Sequence, residues 1–328
     1  MQTSVGYLEV SKTNVLSNFS GGFKISPYLQ GKMCYVGQKE VFREGSDSIR
    51  EFLGIEVDAK QIENVSHFWG EELGEVVQKD NIEKLKRSEG LHYVMVDGAY
   101  ILSREPSWKE VKLGRIFKAN HLYSIGNEEN TRGWIRTSNY TAHLGSSEEF
   151  FEKFSPKVDL LEEFICLGDG AKWIWDWCDQ NYPKAPQLLD YWHGTQNLWK
   201  FAKLEFKTEK KQNKWIEQQE ALLWEDKIEQ VIKNVEGIKG RTKKSKEEQA
   251  SLISYLNNNK KRMLYGTFKK RGWLVGSGPV ESAHRTVIQK RLKQSGQRWT
   301  ILGAQQILNL RVEYKNENWQ QVLNLIAK

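Results

Sequence analysis

Three acids stand where a carboxylate can do chemistry. Asp97 closes the apolar run "YVMV" and is followed by Gly98, Asp169 closes "FICLG" and is followed by Gly170, and Glu281 lies just behind the turn in "GSGPVESAH". A charged side chain beside a buried strand is costly unless it is paired or meets a cation, and adjacent glycines let another group approach the backbone. Two aspartates on neighbouring strands and a glutamate from a helix make three oxygen donors. Hard cations such as Mg²⁺ prefer that set, and it suffices for a two-metal site. Each acid also has a plainer reading: Asp97 as a turn former, Asp169 as the cap of the helix "AKWIWDW", and Glu281 as a first-turn acid favoured by the helix dipole behind Gly278 and Pro279. The three lie far apart in the chain, so only a fold can gather them.

A second set is basic. Arg285, Lys290, Arg291, Lys293 and Arg298 follow Glu281, with Trp299 beside the last of them. Cations at this density suit a phosphate backbone and an indole suits an exposed base, while a solvated helix face is the plain alternative. Arg285 lies four residues beyond Glu281 on the same helix face, where it either neutralises phosphate or pairs with that acid. The formal net charge of +7 and 13 tryptophans, several next to basic residues, agree with a polyanionic partner. Cys34, Cys166 and Cys178 are few and widely spaced, which excludes a disulfide framework and a zinc ribbon. No apolar run is long enough to span a bilayer, and no basic segment followed by an apolar block opens the chain, so an intracellular protein is expected.

The elements that must hold these residues divide the chain into four stretches. Residues 1–90 read as helical after an irregular start, with a short helix, a turn at Gly54 and a second helix capped near Asp58. This is the pattern of any packed helix pair and also of a helix-turn-helix. Residues 91–193 change period: "LHYVMVDGAYIL", "KEVKLGRIFK" and "NYTAHLG" read as strands. A helix capped at Ser146 or Ser147 follows, then the strand "EEFICLGDG", a helix stopping before Pro183, and a fifth strand in "APQLLDYWH". Three strands followed by strands alternating with helices describe a mixed sheet flanked by helices, the ribonuclease-H-like arrangement. Residues 194–272 read as an all-helical insertion. Residues 273–328 return to the core with the Glu281 helix, a break at "QSGQRW" and one or two amphipathic helices.

Four segments carry a specific likeness: "VMVDGAYIL…WKEVKLGRIF", "LGDGAKWIWDW", "LLDYWHGTQNLW" and "GSGPVESAHRTVIQKRLKQSGQRW". From about residue 25 to its end the chain resembles the DDE transposases of bacterial insertion sequences, of the ISKra type, which are related to the Mutator superfamily. That resemblance implies Asp97, Asp169 and Glu281 as the catalytic triad. It places residues 194–272 as the insertion before the Glu, and His193, in the Asp190-x-x-His193 signature, near the active site. It further implies two Mg²⁺ ions, replaceable by Mn²⁺, cleavage of DNA at the element's ends and strand transfer into target DNA. A homodimer or larger assembly on DNA, in the cytoplasm at the nucleoid, follows. Full-length members carry a longer N-terminal region, so a truncated copy is expected. The alternative reading is a truncated, catalytically idle remnant that only binds DNA.

Overall fold

The run Tyr93–Val96 has no polar alternation, as a strand covered on both faces requires, and all four residues are buried at the centre of the fold. The computed structural model describes residues 2–3, 6–7, 20–84, 88–125, 132–276 and 278–328. Most of the expected irregular start, and Ser277 of the turn before Glu281, lie outside the described residues. Among the described residues, strands β1 (Gln2–Thr3) and β2 (Gly6–Tyr7) pair with each other as a two-stranded sheet. The central strand is β3 (Ser88–Leu102), joined to β4 (Trp108–Lys118) as an antiparallel pair; β5 (Leu122–Ile125) and β6 (Arg132–Ile135) form a separate hairpin. Strands β7 (Asn139–Leu144), β8 (Leu161–Gly168) and β9 (Gln187–Leu189) complete a five-stranded mixed sheet of order β7-β4-β3-β8-β9. Its β4–β7 pair is antiparallel, and its β3–β8 and β8–β9 pairs are parallel.

One face of the sheet is covered by α4 (Ser147–Val158) and α5 (Lys172–Asn181). Helix α4 starts with a capping box in which Ser146 accepts from the Glu149 amide and Glu149 returns the bond, and its Phe150 and Phe154 are fully buried. Each such ring contributes roughly 1.5–3 kcal/mol of transfer free energy. The same core takes in residues of α6 (Tyr191–Glu205), α7 (Glu209–Trp224), α8 (Ile228–Glu236), α9 (Lys243–Asn259) and α10 (Tyr265–Lys270). The expected insertion therefore packs against the sheet core and begins inside a helix that starts at Tyr191. The strand expected to run to His193 thus ends at Leu189, and Tyr191–His193 are helical with Asp190 as the N-cap.

The opposite face carries α11 (Gly278–Ala283), a π-helical stretch His284–Gln289, α12 (Lys290–Leu292) and α13 (Ile301–Lys315). On the far side of α13 lie α1 (Pro27–Lys39), α2 (Phe42–Leu53) and α3 (Ala59–Lys84), with α14 (Trp319–Ile326) closing this layer. The turn expected at Gly54 is a left-handed cap with φ 64°, and the Asp58 side chain accepts from the Lys60 amide at 2.7 Å, as expected of a helix start. Helix α13 departs from the expected amphipathic pattern. Sandwiched between the sheet and α3, it is buried on most of its circumference, including Gln306, Arg311 and Glu313. The Arg311 guanidinium donates to the carbonyls of Thr286 and Val287, on the π-helical stretch, and to Gln38 Oε1 and carbonyl. A π turn shifts the helical ladder, and Arg311 supplies donors to its carbonyls.

Helices α3 and α13 cross at Gly70, where a Cβ would overlap the Gln306 carbonyl oxygen, whereas one at Gly276 would meet nothing. We expect Gly70→Ala to cost about 1–3 kcal/mol in denaturant unfolding because backbone cannot yield as a side chain can. Gly276→Ala should stay within about 0.5 kcal/mol of the parent. Equal stabilities for the two variants would contradict this packing.

Candidate functional site

β8 ends before β3 does. Their last pair joins Val96 to Gly168, so Asp97 and Asp169 occupy the next step of the same parallel register, while β3 runs on to Leu102 against β4 alone. Asp97 therefore lies within a strand rather than at its end, at the point where its parallel neighbour departs. Carboxyl ends of parallel strands form a crevice by this geometry, which is where ligands of open α/β sheets bind.

Each carboxylate is held. Asp97 Oδ1 accepts from the Gly98 amide at 2.7 Å, and Oδ2 lies 2.9 Å from His284 Nε2, with side chains only 13% and 7% exposed. Asp169 Oδ1 accepts from the Ala171 amide at 2.8 Å; Ala171, not Asp169, is the N-cap residue of α5. Burial pushes the Asp169 carboxyl above its ordinary range, and the negative charges of Asp97 and Glu110 push it the same way, against the Ala171 amide and His193. Beside the pair, His193 Nδ1 lies 2.6 Å from Asp190 Oδ2, which also accepts the His193 amide at 3.0 Å. This bond to Asp190 raises the imidazole's affinity for a proton in spite of its burial, and Asp97 and Asp169 add to the effect. His193 thus stands beside the acidic pair with its protonated form favoured by Asp190.

Glu281 is exposed in the first turn of α11. It lines a groove of about 430 Å³ with Gly98, Ala99, Tyr100, Trp108, His284, Arg285, Gln289 and Lys293. Its neighbour one turn on, His284, rather than Glu281 itself, reaches Asp97. Among the described residues no group of three or more His, Cys, Asp or Glu side chains is set to hold a metal ion. Two of the three expected acids are together; the third faces the groove beside them. The Pro279 carbonyl at the start of α11 accepts from Arg115, which ties this helix start to β4.

The expected basic track splits. Arg285, Lys290, Lys293 and Arg298 are exposed, whereas Arg291 and Trp299 are internal, at 0% and 7% exposure, and form no part of an exposed track. Arg291 Nε donates to the Gly37 carbonyl at 2.7 Å, and Trp299 Nε1 to the Leu292 carbonyl at 3.1 Å. The exposed rings near the acids are instead Trp108 and Tyr100, on the groove.

Two candidates were missed in the sequence. Glu110 lies over Gly98, where a side chain would collide with its carboxylate, and its Oε2 is held 3.0 Å from Lys112 Nζ. The β3–β4 register brings it there: Gly98 pairs with Lys112, and Glu110, two residues before Lys112, shares that face. His284 lies three residues after Glu281, a spacing that puts both on one helix face.

A family model of an uncharacterised protein family (UPF0236) matches residues 20–324. A search of curated proteins found no match.

The raised Asp169 carboxyl has a stability consequence. The folded state holds this proton more tightly than the unfolded chain, so ionising the group weakens the fold above the ordinary Asp range of about 4 and costs nothing below it. Asp169→Asn, which keeps the acceptor for Ala171, is expected to raise the unfolding temperature at pH 8. Its advantage should shrink as the pH falls toward 4. An advantage independent of pH would contradict a carboxyl raised by burial and neighbouring charge.

Proposed function

The chain belongs to the uncharacterised protein family UPF0236, and we propose that it is a divalent-metal-dependent enzyme that cleaves and joins DNA, a DDE transposase with a ribonuclease-H-like core. The observation that carries this reading is the juxtaposition of Asp97 and Asp169 at the step where β8 ends, close enough for the Asp97 charge to bear on the Asp169 carboxyl. The sheet order supports it: three antiparallel strands, β7-β4-β3, are extended by two parallel ones, the arrangement expected of such a core.

The donor set fits a divalent cation. Asp97 and Asp169 offer hard oxygens; burial raises the Asp169 carboxyl and the Asp97 charge adds to it, a cost that a cation between them would relieve. Mg²⁺, or Mn²⁺ in its place, bound by Asp97 and Asp169 with Glu281 as a further donor, would polarise a phosphodiester and activate water or a 3′ hydroxyl. The chain's own residues do the rest. The Gly98 and Ala171 amides fix one oxygen of each aspartate. His193, whose protonated form the bond to Asp190 favours, stands beside the pair, where its proton would balance the non-bridging oxygens of a phosphate. Arg285 and Lys293 along the groove bind the flanking backbone, and the rings of Tyr100 and Trp108 face bases. Joining two DNA ends calls for at least two copies of the chain.

A second reading, a DNA-binding protein without catalysis, is favoured by one observation: His284 rests on Asp97 while Glu281 stays exposed. Incubating the protein with DNA carrying the flanking terminal repeats, with Mg²⁺ or with EDTA, separates the two. The enzymatic reading expects Mg²⁺-dependent nicking or joining that falls at least about a thousandfold in Asp97→Asn and Asp169→Asn, as loss of a metal's transition-state stabilisation would produce. Activity undiminished in Asp169→Asn would refute the assignment, and DNA binding without any cleavage would favour the second reading.

A further inference from the structure

Away from the carboxylates, a cleft of about 280 Å³ opens between the N-terminal helices and the end of the basic segment. Its walls include Phe42 of α2, Glu63 and His67 of α3, Arg104 after β3, Arg291 of α12, and Arg298 to Thr300 before α13. Arg291 has no exposed surface. A buried guanidinium normally meets a carboxylate or has every N–H satisfied. Arg311, the other large buried arginine, meets that requirement with the acceptors described above. Arg291 does not. Its Nε bonds the Gly37 carbonyl at 2.7 Å, and with the Gln297 amide oriented to satisfy both of its ends, Nη1 bonds the Gln297 side-chain oxygen at 3.2 Å. Phe42 and Trp299 flank the guanidinium with ring centroids at 4.7 and 4.8 Å. Among the described residues Nη2 has no hydrogen-bond partner, and neither does Nε2 of His67 in the same wall. Glu44 and Glu63 act on Arg291 only from a distance, and Glu63 is engaged by Lys60 at 2.8 Å.

The remaining wall adds positive charge. Arg104 Nε is anchored to the Arg298 carbonyl at 3.2 Å, and both side chains are exposed at the mouth. Three guanidiniums and an imidazole thus converge on a cleft with one carboxylate, which is already paired. Guanidinium groups match tetrahedral oxyanions with two parallel hydrogen bonds.

We propose that this cleft is a phosphate-binding site in which Arg104 and Arg298 seize the anion at the mouth and Arg291, backed by Phe42 and Trp299, supplies the fixed positive charge behind it. The site is independent of the metal chemistry proposed above. Its phosphate is either a free phosphate or one from a DNA backbone crossing the cleft.

Titration calorimetry of the full chain with inorganic phosphate, at ionic strength held constant with chloride, tests it. Saturable binding at one site per chain is expected. Because Arg291 is internal and its replacement risks the fold, the test variant is Arg104→Ala/Arg298→Ala, both at exposed positions, with Lys243→Ala as a remote surface control. The double variant should lose affinity at least about tenfold, as expected for removal of charge-assisted bonds, while the control and Asp97→Asn should bind as the parent does. A short DNA duplex then identifies the source. If bound duplex excludes phosphate in the parent, the occupant is a backbone phosphate; if the two bind together, it is a free phosphate. Absence of saturable phosphate binding, or equal affinity in parent and double variant, would overturn the site.

Discussion

The mismatch in length between β3 and β8 is the constraint on which the candidate site rests. Because β8 hydrogen-bonds to β3 only as far as Val96 and Gly168, the next position on each strand is an aspartate with a free edge beside it. Had the strands ended together, the two acids would have faced a closed sheet; had β3 ended first, Asp97 would lack the support of β4 through Leu113. The raised Asp169 carboxyl reflects first its burial and then the charge of Asp97 beside it. That cost is borne by a core buried on both faces of the sheet, and sites that concentrate like charge in this way are characteristic of chemistry rather than of packing.

Helix α13 transmits this arrangement to the rest of the molecule. Its Arg311 supplies donors to the carbonyls of the π-helical stretch His284–Gln289, and that stretch sets which residue of the Glu281 helix meets Asp97. In the structure it is His284. Arg115, from β4, fixes the same helix at Pro279. The helix that bears Glu281 is therefore clamped at both ends, one clamp from the sheet and one from the central helix.

Much of this was legible from the residues. The unbroken apolar runs before Asp97 and Asp169 mark strands covered on both sides, and their glycines mark places where another group comes close. The start of α3 at Asp58 and the turn at Gly54 followed from local capping chemistry, which acts within a few residues. What was not legible depended on which face a helix buries. Arg291 follows Val287 and Ile288 by four and three residues and precedes Leu292, so it lies on an apolar stripe, while Lys290 and Lys293 lie off it; its charge hid that periodicity. Trp299 was assigned to DNA for its ring, yet it is the ring that shields Arg291. Glu110 was invisible because nothing near it in sequence pairs it with Gly98, which only the β3–β4 register does.

The central claim is that Asp97 and Asp169 share a divalent cation. The most direct measurement is anomalous diffraction from crystals of the protein grown with Mn²⁺. The account predicts anomalous density bounded by oxygens of Asp97 and Asp169, with the Oδ2 of Asp97 released from His284. Anomalous density absent from that position at saturating Mn²⁺, with His284 still on Asp97, would contradict it.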